Sequence, residues 1–256
     1  MSIAETATRS RYAQLRFVAA SLALLVLFVF FMPLLEPLLH ALFPQLERPL
    51  YTRASFAALT LSHLGLVLAA SIPVIVLGVA AGIFVTRASG RQFAGVLDTI
   101  TAVGQTFPPS AVLAIAVPLA GYGAAPTIVA LVAYGILPVV DNTIAGLRSV
   151  SPAALGAAEG MGFTAGQKLL RVELPLAGAV ILAGIRTSVI ISIGTATIGS
   201  TVGALTLGSP IIEGLSGSNT AYVIQGALVV GLLAVATDQA FAVLDDRLRR
   251  RMSGQA

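Results

Sequence analysis

Charged residues interrupt this chain rarely, and the intervals between them set its architecture. Uncharged stretches run over residues 17–35, 54–86, 99–140, 187–212 and 214–237. About 20 apolar residues in a helix cross the roughly 30 Å hydrocarbon core of a bilayer. The stretch 99–140 is long enough to cross twice, and Gly121-Tyr122-Gly123-Ala124-Ala125-Pro126 supplies a turn near its middle. The pattern therefore predicts an all-α integral membrane protein. Its six transmembrane helices fall near residues 17–35, 60–85, 98–119, 125–146, 177–200 and 221–243. Pro73, Pro108, Pro109, Pro118 and Pro138 lie within these spans and predict kinks, since membrane helices tolerate proline. Asp98 is placed to cap the third span.

The basic residues orient the spans. Arg9, Arg11 and Arg16 precede the first span; Arg87 and Arg91 lie between the second and third. Arg148, Lys168 and Arg171 lie between the fourth and fifth, and Arg247, Arg249, Arg250 and Arg251 follow the sixth. The opposite side carries Arg48 and Arg53, and Arg186 falls within a span. Lys and Arg concentrate in cytoplasmic loops, so both termini are predicted cytoplasmic. An uncleaved first helix is expected: its apolar stretch exceeds that of a signal peptide and no small-x-small site follows it. The expected organisation is a segment 1–50 with the first helix and an external loop, a transmembrane domain 51–246, and a basic tail 247–256. The tail reads as a topology determinant touching lipid headgroups.

Composition agrees with this picture. The 256 residues are 57% hydrophobic and 10% charged, with a mean hydropathy of +0.94. A soluble domain carries about 25% charge, so a soluble surface is excluded. The net charge of +4 reports topology instead of nucleic-acid binding. With no Cys and only His40 and His63, neither a disulfide framework nor a His-based metal cluster is expected. Lys168 is the single lysine and lies in no phosphate-binding loop; no HExxH or GxSxG occurs. No catalytic residue is predicted.

The most informative polar segment is the cytoplasmic loop 148–176. Ser151 is a good N-cap and Pro152 suits the first helical position. Gly160 or Gly162 would end that helix. Thr164 with Gln167 predicts a capping box for a second short helix, which Pro175 would stop. Leu155, Ala157, Ala158 and Met161 would form a small apolar knob, a feature that marks docking sites.

Here the sequence resembles the binding-protein-dependent ABC importer permeases. Their cytoplasmic signature is Glu-Ala-Ala, three residues, Gly, nine residues, Ile-x-Leu-Pro. This chain has Gly156-Ala157-Ala158, Gly162 and Val172-x-Leu174-Pro175 with every spacing kept. Gly156 stands where the family has Glu, and Val172 where it has Ile. Within the family the chain looks most like the osmoprotectant group. The residues carrying that likeness are Leu61-Ser62-His63, Gln105-Thr106-Phe107-Pro108-Pro109-Ser110, Asn142-Thr143 with Gly146, Ala183-Gly184-Ile185-Arg186-Thr187 and Ile193-Gly194-Thr195-Ala196-Thr197. Asp141 stands where that group often has a basic residue.

The resemblance implies a type I importer fold in the bacterial cytoplasmic membrane and import of glycine betaine, choline or a related quaternary ammonium compound. It implies a second permease chain, a cytoplasmic ATPase dimer that docks the coupling loop, and a separate binding protein. ATP and Mg²⁺ would be held by the ATPase, with no cofactor in this chain. ATP binding would drive the coupling helices together and open the pathway outward; hydrolysis would reset it. An amino acid or sulfonate is the alternative cargo. A lone ion-coupled transporter is a third reading, but it predicts an inverted repeat that the sequence lacks.

Ionisable groups within membranes are functional candidates. Arg186 is expected to pair with Asp141 or Asp238 near the cytoplasmic gate. Gln105, Thr106, Ser110 and Tyr134 are candidate pathway-lining groups, with helix–helix hydrogen bonding the alternative role. Tyr51, Tyr122 and Tyr222 fall at outer span ends, where interfacial anchoring is expected. No aromatic cage for a quaternary ammonium group is expected in this chain. His63 is expected to be interfacial or packed.

Overall fold

The computed structural model describes the backbone of residues 3–252 and the side chains of residues 16–247. The basic side chains of Arg9, Arg11, Arg249, Arg250 and Arg251 lie outside the described residues. All regular structure among the described residues is helical. α1 (Ile3–Phe31) passes through a 3₁₀ turn into α2 (Glu36–Leu42). Then follow α3 (Phe56–Thr86), α4 (Ala94–Thr106), α5 (Pro109–Ala120) and α6 (Ala124–Arg148). The cytoplasmic helices α7 (Pro152–Gly160) and α8 (Ala165–Lys168) precede α9 (Leu174–Ala196), α10 (Ser209–Ser216) and α11 (Thr220–Met252).

Hydrocarbon offers no partner to a backbone N–H or C=O, so a spanning segment must satisfy both within itself, as a helix does. Among the described residues, five helical stretches are long and apolar enough to cross: Arg16–Leu42, Phe56–Thr86, Ala124–Arg148, Ala165–Val202 and Thr220–Arg247. The third predicted span departs from expectation. It is two helices, α4 and α5, that meet at 98°. Pro109 excludes Pro108 from the helical region, and Pro108 excludes Phe107; both have ψ of 135°. Single prolines at 73, 118 and 138 remain inside helices, whereas this adjacent pair breaks one. Asp98 lies inside α4 and caps nothing, because a tight turn at Gly90 and a 3₁₀ turn at Arg91–Phe93 start the helix earlier.

Packing gives the direction of each helix. Gly78 lies against Val139 and Gly82 against Thr143, so α3 and α6 run parallel. The chain must therefore return across the membrane between them, and the bent pair α4–α5 makes that crossing. Gly146 meets Ala177 while Gly135 meets Ser188, so α9 runs opposite to α6. Six crossings result, and the two ends of the described chain lie on the same side as α7 and α8.

The centre of the fold is the packing of α3, α6 and α9. Lipid tails are as apolar as leucine, so membrane helices gain most where small residues let backbones approach. A Cβ built on Gly78 would lie 2.8 Å from Val139 Cγ1, and one on Gly82 2.6 Å from Thr143 Cβ. The tightest approach is at Gly184 in α9, where an added Cβ would lie 2.5 Å from Asn142 Cβ and 2.7 Å from the Pro138 carbonyl. Hydroxyls inside the packing bond back to their own helices: Ser71 to Val67 O at 2.7 Å and Thr143 to Val139 O at 2.7 Å.

This packing predicts a contrast within α9. Gly184→Ala should destabilise the protein by about 1–3 kcal/mol, the usual cost of overpacking. Gly178→Ala should change little, because nothing lies within 4 Å of its added Cβ. Thermal unfolding of the two variants in one detergent measures the difference.

Candidate functional site: the coupling segment and the polar groups of the core

The cytoplasmic segment is fixed by local bonds that its sequence dictates. Ser151 Oγ accepts the Ala154 N–H at 3.3 Å and Pro152 opens α7. At the other end, Gly162 takes φ of +77°. There the Phe163 N–H donates to Ala158 O at 3.0 Å and the Gly162 N–H to Glu159 O at 2.9 Å. This is the paired-bond helix ending for which glycine is favoured. Thr164 and Gln167 form the capping box, with bonds of 3.3 and 2.9 Å. Lys168 Nζ reaches Glu159 Oε1 at 2.5 Å and ties α8 back to α7.

Two expectations are corrected here. Pro175 does not stop the second helix; it sits in the first turn of α9, and helix runs unbroken from Ala165 to Val202. A proline ring clashes with the carbonyl four residues back. The π turn Leu169–Glu173 just before α9 widens the helix at that point and absorbs the clash. The apolar knob also differs. Ala158 is 1% exposed and Leu155 packs beside Leu147, Val150, Ala177 and Ile181, so both face the body of the protein. The wet face of α7 consists of Pro152, Ala153, Gly156, Ala157, Glu159 and Gly160, with Met161 67% exposed at its end. Of the remaining signature residues, Gly162 makes the exposed turn, Val172 and Leu174 are half-buried, and Pro175 is exposed.

A charge pair that sequence reasoning missed holds this segment to the membrane body. Glu173, in the π turn, has a side chain only 6% exposed. Arg87, at the end of α3, grips both of its oxygens: Nη1 donates to Oε1 at 3.1 Å and Nη2 to Oε2. In the sequence Arg87 marks topology alone, and Glu173 occupies the unspecified position of the signature. A carboxylate between Val172 and Leu174 was the available signal.

Within the membrane body, Arg186 pairs with Asp238, its Nε donating to Oδ1 at 2.7 Å and its Nη2 lying 2.6 Å from the same oxygen. Of the two partners expected for Arg186, the structure brings Asp238 and leaves Asp141 apart. Asp141 instead accepts the Gln105 amide at 3.3 Å across the α4–α6 contact. Gln105, Thr106 and Ser110 are exposed around the Phe107-Pro108 bend. Thr106 bonds its own helix at Val103 O, 2.7 Å away. Tyr134 is half-buried, and its hydroxyl has no hydrogen-bond partner among the described residues.

The outer end is closed by a second set of bonds. His63 is fully buried; its Nδ1 accepts the Leu207 N–H at 3.3 Å, so its Nε2 carries the proton and donates to Ile193 O at 3.0 Å. Gln225 Nε2 donates to Pro49 O at 2.6 Å while its Oε1 accepts the Tyr51 N–H at 3.2 Å. Tyr51 is not an interfacial anchor. It is buried, stands edge-on to Tyr222 at 5.3 Å and donates its hydroxyl to Glu213 Oε1 at 3.0 Å. Burial, with the Glu213 carboxylate, pushes its phenol up to about 12. Tyr122 is exposed, as an anchor would be.

Comparison with known proteins agrees with this architecture. Residues 75–250 match the family described as binding-protein-dependent transport system inner membrane component. The chain is 40% identical to the choline transport system permease protein OpuBB of Bacillus subtilis, over 74% of this chain and 86% of that one. It is 39% identical to the osmoprotectant import permease protein OsmY of Salmonella typhimurium, over 73% of this chain and 79% of that one. The glycine betaine/carnitine/choline transport system permease protein OpuCB of Bacillus subtilis is 38% identical, over 73% of this chain and 85% of that one. Among solved structures, the inward-facing MetNI methionine ABC transporter superposes with a TM-score of 0.67 at 18% identity, covering 75% of this chain and 95% of that one. An amino acid ABC transporter solved with histidines superposes at 0.62, also at 18% identity, over 75% of this chain and 92% of that one. With its six crossings and its spaced cytoplasmic segment, the chain belongs to the binding-protein-dependent ABC importer permeases.

Proposed function

We propose that this permease imports a small quaternary ammonium osmoprotectant, of the glycine betaine and choline class, across the bacterial cytoplasmic membrane. The observation that carries the reading is the run of relatives named for choline, glycine betaine, carnitine and osmoprotectants at 38–40% identity over nearly three quarters of the chain. The fold likeness to methionine and amino acid transporters is at 18% identity and bears on architecture alone. ATP and Mg²⁺ belong to a separate ATPase that receives the wet face of α7. A second permease chain and a substrate-loaded binding protein complete the machine. Cargo recognition falls mainly to the binding protein, since the outer aromatic cluster of Tyr51, Phe56 and Tyr222 is closed by its own packing.

In this reading the chain makes and breaks no covalent bond. It holds two packings of similar free energy, and ATP and the loaded binding protein bias them in turn. The Arg186–Asp238 pair acts as a tie between α9 and α11 at the cytoplasmic half. Gln105 and Asp141 do the same between α4 and α6, next to the bend where polar groups are exposed.

Proteoliposomes holding the complete transporter should accumulate labelled glycine betaine or choline with ATP, and excess methionine should not compete; uptake of methionine with no uptake of either would reverse the assignment. Ala157→Arg should lose the ATPase on co-purification while the permease still folds, because Ala157 faces water. Ala158→Arg should fail earlier, as misfolded protein, because Ala158 faces the core. Arg186→Gln should lower uptake by about tenfold, equivalent to about 1.4 kcal/mol, and the exchange R186D/D238R should recover part of it.

A further inference from the structure

Glu173 is a carboxylate almost without water at the cytoplasmic end of the helices, where an uncompensated charge is costly. Arg87 compensates it with both terminal nitrogens on both oxygens. A two-bond fork fixes direction as well as distance, which one contact cannot. The partners belong to different mechanical parts. Glu173 closes the π turn between the ATPase-facing segment and α9. Arg87 ends α3 and begins the turn to α4.

That turn is stiff. The N–H groups of Gly90 and Arg91 both donate to the Arg87 carbonyl, at 3.1 and 3.0 Å. A Cβ on Gly90 would lie 2.1 Å from the Phe84 carbonyl oxygen, so the loop fits only glycine. Phe84 and Phe93 stack across it at 5.9 Å. Beyond the turn, α4 leads to the 98° bend and its exposed polar groups.

Covalent continuity already carries a displacement of the coupling segment into α9. Toward α3 and α4, apolar contacts alone can slide, since they have no direction. We infer that Arg87 and Glu173 are positioning residues that make the coupling segment and the α3–α4 turn move as one piece. A push from the ATPase then reaches the bent helix pair as well as α9. The inference rests on the permease reading and concerns transmission, not docking.

The test uses the complete transporter in liposomes, with its ATPase and binding protein. It reads ATPase co-purification, basal hydrolysis, stimulation by loaded binding protein, and uptake. Glu173→Gln should keep co-purification and basal hydrolysis within about twofold, yet lose stimulation and at least about tenfold in uptake. The exchange R87E/E173R should regain part of both. Arg87→Lys, which keeps the charge but not the fork, should fall between. Unchanged stimulation and uptake in Glu173→Gln would overturn the inference. So would loss of co-purification in both Glu173→Gln and Arg87→Lys, which marks a role in folding alone. A wild-type complex with no ATP-driven uptake would overturn the permease reading and this inference together, whereas an active wild type with indifferent variants overturns only the latter.

Discussion

α3, α6 and α9 approach so closely that a single added carbon would collide, and the rest of the molecule is arranged around that contact. In lipid there is little hydrophobic gain from bringing helices together, so cohesion must come from dispersion at short range and from hydrogen bonds. Gly78, Gly82, Gly135, Gly146 and Gly184 supply the short range by presenting no side chain where a neighbour arrives. Thr143 and Ser71 supply polar groups that cost nothing because each bonds its own helix. The contact fixes the parallel course of α3 and α6. That course in turn requires α4 and α5 to cross between them.

Outward from this centre, polar ties hold both ends. At the external end, hydrogen bonds of His63, Gln225 and Asn219, with the Arg53–Glu213 pair, hold the loop before α3 and the α9–α10 connection against the bundle. At the cytoplasmic half the ties are charged: Arg186–Asp238 and Arg87–Glu173. Charged pairs are directional and sensitive to geometry. The coupling segment sits at the edge of this region. Its shape is set locally by a cap, a glycine turn and a capping box, and its attachment by Ala158, Leu155 and the Glu173 fork.

Much of this was readable in advance, for local reasons. Charge-free intervals locate helices because length and polarity are the only requirements the bilayer imposes. Ser151, Thr164 and Gln167 mark their caps because each satisfies backbone groups within a few residues, and the ending glycine is narrowed to Gly160 or Gly162 for the same reason. The failures share the opposite property. Pro108 and Pro109 predict kinks because each alone is tolerated, and only together do they exclude two successive residues from the helix. Pro175 predicts a stop, but its clash with the preceding turn is relieved by a π turn that no sequence rule marks. Ala158 cannot be assigned to the buried face from sequence, because a nine-residue helix of small residues shows no clear apolar side.

The sequence by itself determined the number of crossings, their orientation and the segment that identifies the family, since each depends on composition or on contacts a few residues apart. Tertiary structure decided which charges meet. Arg186 has two acidic candidates of equal standing on neighbouring helices, and only the face of α9 that turns toward α11 selects Asp238, while Asp141 meets Gln105. Arg87 and Glu173 lie 86 residues apart, and nothing local to either predicts the other. Pairing over such separations depends on the backbone path set by the glycine contacts, which is a property of three helices packed together and of none of them alone.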